Sequence, residues 1–306
     1  FGYGAKFPEK YQKAMYALDW SWGKIYAVHL QPDGSSYKGT KETFITGSPL
    51  PVADAIIHPG DGAMYFVIGG RKVQSGLYRV TYEGKEKTNP YIHKTQPGDL
   101  TALRRKLETL HVGSNPKALE LAWPHVDHSD RFVRWAALMS IQRLPVKQWS
   151  SQALKEKDHG KRANLLLSLA KASGIDPFHR TPTDPPVDSK MGRKIINSLL
   201  QIKWDRLETA EQLTFVRAYQ VAMVRFAKPG KETAQKIVQQ LDPRFPDESF
   251  EMNWLLCETL SFLEAPSVAQ KGIALLMEAP TQEEQMEYAR SLRTLKAASI
   301  GFKVWC

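Results

Sequence analysis

The chain has 306 residues, a hydrophobic content of 42% and a formal net charge of +10. This length accommodates about two domains, and the hydrophobic content is ordinary for a soluble globular protein. No run approaches the roughly 18 consecutive apolar residues of a membrane-spanning helix. The composition therefore predicts no transmembrane segment.

The positive charge is spread along the whole chain. Residues 1–98 contain 12 Lys and Arg against 8 Asp and Glu, and residues 99–306 contain 30 against 24. Nucleic-acid-binding proteins usually concentrate these residues on one face or stripe, and no block of five residues here is uniformly basic. We therefore expect no nucleic-acid partner. Attraction to an acidic partner protein fits the charge at least as well.

The first 82 residues predict antiparallel strands joined by tight turns. Short runs of Val, Ile, Tyr, Phe and Trp alternate with Gly-containing breaks, among them Asp33-Gly34 and Asp61-Gly62, whose glycines can adopt positive φ. The predicted strands are 15–19, 24–30, 42–45, 53–57, 63–68 and 76–82, after a loop over 1–14. Their spacing suits about one and a half blades of a β-propeller, which needs roughly 4–8 blades to close.

A polar segment over 83–98 is predicted to link this region to a helical one, because beyond it the apolar period changes from 2 to 3.6. Helices are expected from Asp99 or Thr101, after Asn115-Pro116, from Ser129 or Asp130, and near 147–156, 160–173, 189–202, 208–226, 231–240, 248–263, 266–277 and 281–297. Pairs of helices at about 40-residue spacing predict a HEAT- or armadillo-like solenoid over 99–297. A Pro-rich loop over 176–188 interrupts it, and 298–306 is a divergent tail.

Two residues of the strand-rich region are candidate cofactor-binding residues. Asp54 and Arg71, with His58 and Gln74 nearby, lie in or beside the last predicted strands, where loops at one end of a propeller line its central funnel. Arg71 can make a bidentate contact with an anion. A solvated arginine and a local turn bond of Asp54 explain the same residues without a ligand.

Other chemical motifs have structural explanations. The segment H-V-D-H-S-D (125–130) has the residue types of a metal site, but Ser129 or Asp130 at the start of a helix explains it better. Cys257 lies in an apolar helical pattern and is expected to be buried. With Cys306 as the only other cysteine, the chain contains no Cys-x-x-Cys-His haem-attachment motif and no predicted metal site.

Longer motifs resemble one bacterial family. F-P-E-K-Y-Q-K-A-M-Y-A-L-D-W-S-W-G-K-I-Y-A-V-H-L-Q-P-D-G, S-P-L-P-V-A-D, D-R-F-V-R-W-A-A and F-P-D-E-S-F-E-M-N-W-L-L-C-E-T-L-S-F-L-E-A-P are similar to segments of putative membrane-bound dehydrogenase or haem-binding-domain proteins. The resemblance covers about 1–297. It implies a propeller like that of quinoprotein sugar dehydrogenases, followed by HEAT-like helices and a c-type cytochrome domain.

The resemblance implies a secreted or periplasmic parent protein of which this chain is an internal fragment. In that parent, pyrroloquinoline quinone and haem c are the expected cofactors and the cytochrome domain is an expected partner; none is expected within this chain. The family's Arg-x-Arg-Asp, whose arginines hold the quinone, corresponds here to Pro51-Val52-Ala53-Asp54, and only the Asp is retained. The last nine residues also diverge from the family, and the given residues contain no signal-peptide pattern.

The sequence leaves three functional hypotheses open. The first is a fragment of a quinoprotein-like dehydrogenase that oxidises a sugar or alcohol and passes electrons to a haem. The second is a non-catalytic scaffold whose helical solenoid binds a protein partner or a polysaccharide assembly. The third, nucleic-acid binding, depends on charge alone. For the chain by itself we expect no catalytic activity.

Overall fold

The computed structural model describes residues 1–70, 72–92, 97–113, 115–176, 178–184 and 186–295. The chain divides into two compact units, Phe1–Arg104, here the β unit, and Arg105–Cys306, here the helical unit. The predicted β + α class is confirmed. The predicted linker over 83–98 stays a prediction, and the predicted tail over 298–306 lies outside the described residues.

The β unit contains two antiparallel three-stranded sheets, each a meander in chain order. The bounds are β1 Met15–Asp19, β2 Lys24–Asp33 and β3 Ser36–Thr46 in one sheet, and β4 Val52–Ile57, β5 Met64–Gly70 and β6 Val73–Val80 in the other. The predicted turn glycines do adopt positive φ, +57° at Gly34 and +72° at Gly62. The local turn chemistry therefore sets both of these hairpins.

Two predictions for the β unit need correction. The strand predicted over 42–45 is much longer, because β3 pairs with β2 from Ser36 opposite Asp33 to Thr46 opposite Lys24. Its first half is polar and carries no apolar alternation, so cross-strand pairing rather than hydrophobic pattern extends it. The segment predicted as a loop over 1–14 also contains one helical turn, α1 Glu9–Gln12.

The two sheets share an apolar core. Ile25, Val52, Phe66 and Ile68 are each at most 6% exposed, and Tyr16, Leu18 and Phe44 pack against them. Complete burial of an aliphatic or aromatic side chain of this size stabilises by about 1.5–3 kcal/mol. Side chains from both sheets therefore hold the meanders against each other.

Eleven further helices are assigned among the described residues. They are α2 Asp99–Glu108, α3 Ala118–Ala122, α4 Arg131–Gln142, α5 Ser150–Leu154, α6 His159–Ser173, α7 Ser189–Leu199, α8 Thr209–Arg225, α9 Lys231–Leu241, α10 Phe250–Phe262, α11 Val268–Glu278 and α12 Gln282–Leu292. Each corresponds to a predicted helix. The bounds differ mostly by one to three residues at each end, the range in which helix assignments commonly vary.

From α4 to α12, every second helix packs against the next one. α4 packs against α6, α6 against α8, α8 against α10 and α10 against α12. We call this continuous row of five helices the inner row. α7 packs on α6 and α8, and α11 packs on α10 and α12. The pattern follows from amphipathic helices that each bury an apolar face against the next.

The start of α4 shows how the sequence specifies these helices. The Asp130 carboxylate accepts hydrogen bonds from the backbone N–H groups of Phe132 and Val133, both at 3.0 Å, as the capping prediction required. One face of α4 is buried at five positions, namely Val133, Ala136, Ala137, Ser140 and Ile141. Within the described part of the chain, no helix is both long and apolar enough to cross a membrane.

Candidate functional site

Asp54, the first predicted cofactor-binding residue, lies on β4 at an irregularity of the sheet register. Its side chain is exposed, and its carboxylate accepts the backbone N–H of the adjacent Ala55 at 2.8 Å. Val52, two positions earlier, is buried in the sheet core. With no cation at 51–53, these residues do not fit a quinone carboxylate. The second candidate, Arg71, lies outside the described residues.

His58 belongs to a turn between β4 and β5. Its Nδ1 lies 3.2 Å from the Asp61 carboxylate, which also accepts hydrogen bonds from the Tyr65 hydroxyl at 3.0 Å and from Arg79 at 3.0 and 3.1 Å. The backbone N–H of Ala63, followed by Arg79 and Tyr65, holds the pKa of Asp61 well below its usual range. A carboxylate held this firmly in the ionised form stabilises the hairpin and is unsuited to proton transfer near neutral pH.

The histidine-rich segment before α4 is structural. The Asp130 carboxylate caps the helix, and His128 Nδ1 accepts the backbone N–H of Asp130 at 3.0 Å. Burial, followed by the neighbouring His128, lowers the pKa of His125 below its usual value. Across the described ranges, no group of three or more His, Cys, Asp or Glu side chains is placed to hold a metal ion.

Cys257 is buried on α10, as predicted. Burial raises the pKa of its thiol to about 11, against a smaller lowering by hydrogen bonding to Ser261 and Ser291. A thiol with this pKa is almost wholly protonated near neutral pH, and the thiolate is the nucleophilic form. Cys257 is therefore a packing residue of the helical unit.

The strongest candidate site is a hollow in the helical unit that the sequence did not predict. It lies between the C-terminal ends of α6 and α8 and has a volume of about 290 Å³. We call it the α6–α8 hollow. Its principal lining residues are three cations, one carboxylate and two apolar side chains, namely Lys171, Arg217, Arg225, Asp176, Phe178 and Val224.

The chain segment that follows α6 is anchored to the end of α8. Arg225 donates to the Lys171 carbonyl oxygen at 2.8 Å and to the Asp176 carboxylate at 3.2 Å. The Ile175 backbone N–H donates to the Arg225 carbonyl oxygen at 2.8 Å. At Gly174, an added Cβ would lie 2.5 Å from the Arg225 Cβ and 2.8 Å from the Ala170 carbonyl oxygen. The close approach of the two helix ends therefore requires glycine at that position.

Hydrogen bonds through Gln220 to α10 fix the position of Arg217. Its guanidinium donates to Gln220 Oε1 at 2.8 Å, and the Gln220 amide donates in turn to Glu258 Oε2 at 3.0 Å and to the Leu255 carbonyl oxygen at 3.2 Å on α10. Gln220 is only 7% exposed. A buried amide that uses both its oxygen and its nitrogen fixes the neighbouring arginine on the inner row.

Among the described residues, neither Lys171 nor Arg217 has a counter-ion in this hollow, and Lys171 is the less engaged of the two cations. Within the residues that the structure describes, its ammonium group has neither a hydrogen-bond nor an ion-pair partner. Partial desolvation, followed by repulsion from Arg225 and Arg217, lowers the pKa of Lys171 below its usual value. The hollow thus has a positive excess, because Asp176 is the one carboxylate among the described residues that line it.

Sequence reasoning missed this site for an identifiable reason. Lys171 and Arg225 are 54 positions apart, and each is simply a basic residue in the last turn of its own helix. The sequence predicts an exposed loop over 176–188, although Asp176 contacts Arg225 of α8. The sequence does give one indication of the site. On α8, Arg217 and Arg225 stand before and after Val221 and Val224, so that basic residues flank apolar ones.

Comparisons with known proteins add no relative. No protein-family profile, curated protein or solved structure matches the chain.

Proposed function

We propose that the helical unit is a scaffold that docks an acidic segment of a partner protein. The observation that carries this proposal is the unneutralised positive charge of Lys171 and Arg217 on the inner row of packed helices. A cation that is partly desolvated beside other cations is stabilised by an incoming anion. Charge complementarity of this kind also accelerates association with the partner.

The packing of the helices supports the scaffold role. Each helix of the inner row contacts the next helix of that row. α7 packs on the pair α6 and α8, and α11 packs on the pair α10 and α12. Such an arrangement is typical of HEAT-like repeats, whose stacked helices present an extended binding surface. We therefore retain the predicted solenoid and propose that the partner docks on its surface at Lys171 and Arg217.

The test uses the full chain and two 20-residue peptides, one rich in Glu and one in which every Glu is replaced by Gln. Fluorescence anisotropy should show binding of the acidic peptide that weakens between 50 and 300 mM NaCl, because exposed charges are screened over about 10 Å at 0.1 M salt. The Gln peptide should not bind. Failure of the acidic peptide to bind would overturn the proposal, and so would equal binding of the Gln peptide or tighter binding of duplex DNA or of an uncharged polysaccharide.

We also propose, on the family motifs, that the parent protein is a secreted or periplasmic quinoprotein-like dehydrogenase with a c-type haem domain. The β unit supports the blade interpretation, because its two meanders run in chain order and their first strands, β1 and β4, contact each other. Any quinone would be held outside the residues around Asp54. The neighbouring coding sequence is the test, since a parent lacking both a secretion signal and a Cys-x-x-Cys-His motif refutes this assignment.

A further inference from the structure

We propose that the α6–α8 hollow receives one acidic residue together with an adjacent aromatic residue from an extended segment of the partner protein. This inference rests on the proposed function and specifies where and how the acidic segment is held.

The cations provide the site for a carboxylate. Counting contacts among the described residues, Lys171 has unused N–H donors, and Arg217 uses one nitrogen to contact Gln220 while the rest of its planar donor fork stays available. Arg225 is already committed to Asp176 and to the Lys171 carbonyl oxygen. A ligand carboxylate between Lys171 and Arg217 would gain charge-assisted hydrogen bonds and relieve the repulsion between cations.

The rim of the hollow is apolar. Phe178 is 86% exposed and Val224 is 69% exposed, and both line the hollow beside the cations. Large apolar side chains this exposed and this close together are common where a partner binds. An inorganic anion would leave these two side chains in water, whereas an aromatic residue next to the acidic one would cover them.

The hollow is built before any ligand arrives. Gln220 holds Arg217 through hydrogen bonds to α10, and the Arg225 contacts hold the segment at 175–176 against α8. Fixed donors lose little conformational freedom when they bind, which favours affinity. Gln220 is thus a positioning residue for Arg217.

The size of the hollow favours side chains over a cofactor. Its volume of about 290 Å³ is at the lower limit of small-molecule sites, which span roughly 300–1,000 Å³. A pair of neighbouring side chains on an extended peptide fits this volume, and the peptide backbone can continue along the exposed surface.

Fluorescein-labelled Gly-Ser-Glu-Phe-Ser-Gly is the probe, with Glu→Gln and Phe→Ser versions as its controls. The peptide should bind the full chain, and Lys171→Gln and Arg217→Gln should each weaken binding about tenfold or more, as expected for a charge-assisted contact. Lys236→Gln on α9 removes the same charge from an exposed pair with Glu232 and should leave the affinity unchanged. Because Lys171 and Arg217 are exposed, circular dichroism should show intact folding in both variants.

Gln220→Ala should weaken binding less than Arg217→Gln and should lose its effect when Arg217 is already replaced. If Lys171→Gln and Arg217→Gln bind the probe as Lys236→Gln does, this inference is wrong, while binding of the longer Glu-rich peptide would still support the scaffold. If millimolar phosphate displaces the probe and Phe→Ser changes nothing, the hollow is a simple anion site and the peptide proposal is overturned. Loss of the Glu-rich peptide's binding altogether refutes the scaffold itself.

Discussion

The side chain of Gln12 is hydrogen bonded to the backbone of Tyr91, 79 residues further along the chain. Its oxygen accepts the Tyr91 N–H at 2.8 Å, while its nitrogen donates to the carbonyl oxygens of Phe7 at 2.7 Å and Asn89 at 2.9 Å. Gln12 is fully buried. One amide therefore joins the beginning of the β unit to the segment that follows its last strand.

Replacing Gln12 by Ala should destabilise the β unit and release the segment around residue 90. Two carbonyl oxygens and one N–H would lose their partner, and an unsatisfied buried polar group costs about 1–3 kcal/mol. Urea unfolding followed by tryptophan fluorescence measures the stability. Limited proteolysis should cut between 83 and 92 faster than in the native chain.

Gln31→Ala is the matched control, because Gln31 is an exposed glutamine on β2. It should change the stability by no more than about 0.5 kcal/mol, as is usual for exposed surface positions. Equal proteolysis rates for Gln12→Ala and Gln31→Ala would show that the Gln12 amide does not hold this segment.

Cys257 should be unreactive in the folded protein. At pH 8 a thiol of pKa about 11 is roughly 0.1% thiolate, against about a quarter for a free cysteine of pKa about 8.5. In a Cys306→Ser background, Ellman's reagent should therefore detect no thiol until guanidinium unfolds the chain, and then one. Since the folded pKa lies above the unfolded value, this contribution to stability is present below pH 8.5 and decreases between pH 8.5 and 11.

Ser151→Cys in the same Cys306→Ser background is the positive control. Ser151 is exposed on α5, so its replacement should react within seconds to minutes while Cys257 stays protected. Fast reaction of two thiols in the folded variant would contradict the buried, protonated state of Cys257.

The elements predicted well were those that local chemistry specifies. β1 has the bounds that were predicted, and the α4 cap follows from one aspartate followed by an apolar stripe. β3 was underestimated because the polar residues from Ser36 onward are held by pairing with β2, which no local pattern indicates. The Gln12 contacts were missed for the same reason, since a glutamine has no periodicity that identifies its partner.

The site was less predictable than the elements. A propeller funnel would bring Asp54 and Arg71 to a ligand, and this stays a prediction; in the structure the Asp54 carboxylate accepts the backbone N–H of the adjacent Ala55. Lys171 and Arg217 become one site only through the packing of α6 on α8, which depends on the tertiary structure. Charge in the sequence indicated an acidic partner, but the sequence alone did not indicate the place where that partner would bind.

Gly192 and Phe226 set the approach of α7 to the end of α8. A Cβ at Gly192 would lie 2.6 Å from the Phe226 Cγ and 2.7 Å from its Cβ. Gly192→Ala should therefore lower the free energy of unfolding by about 1–3 kcal/mol through overpacking. Without that clash, the higher helix propensity of Ala over Gly would stabilise the protein by about 1 kcal/mol. Thermal or urea unfolding measures the change.

The double-mutant cycle with Phe226→Gly provides the control. Once the whole Phe226 side chain is removed, its Cβ included, the methyl group of Gly192→Ala no longer meets it, so Gly192→Ala should be neutral or stabilising in that background. If Gly192→Ala costs the same free energy with and without the Phe226 side chain, the close contact does not explain the glycine.

The carboxyl group of Asp176 should titrate at a pKa of about 2. The backbone N–H groups of Phe178 and His179 donate to it at 2.9 and 3.0 Å, and Arg225 lies beside it. Because this pKa is below the unfolded value of about 3.9, the carboxylate's stabilisation of the turn is present above pH 4 and is lost as the pH falls through about 2. The ¹³C shift of the Asp176 carboxyl carbon between pH 5 and 1.5 measures this pKa, with circular dichroism confirming the fold at each point.

Arg225→Gln should raise the pKa of Asp176 but keep it below 3.9, because the backbone donors of Phe178 and His179 have the larger effect. A titration midpoint near 3.9 in the native chain would contradict the turn geometry.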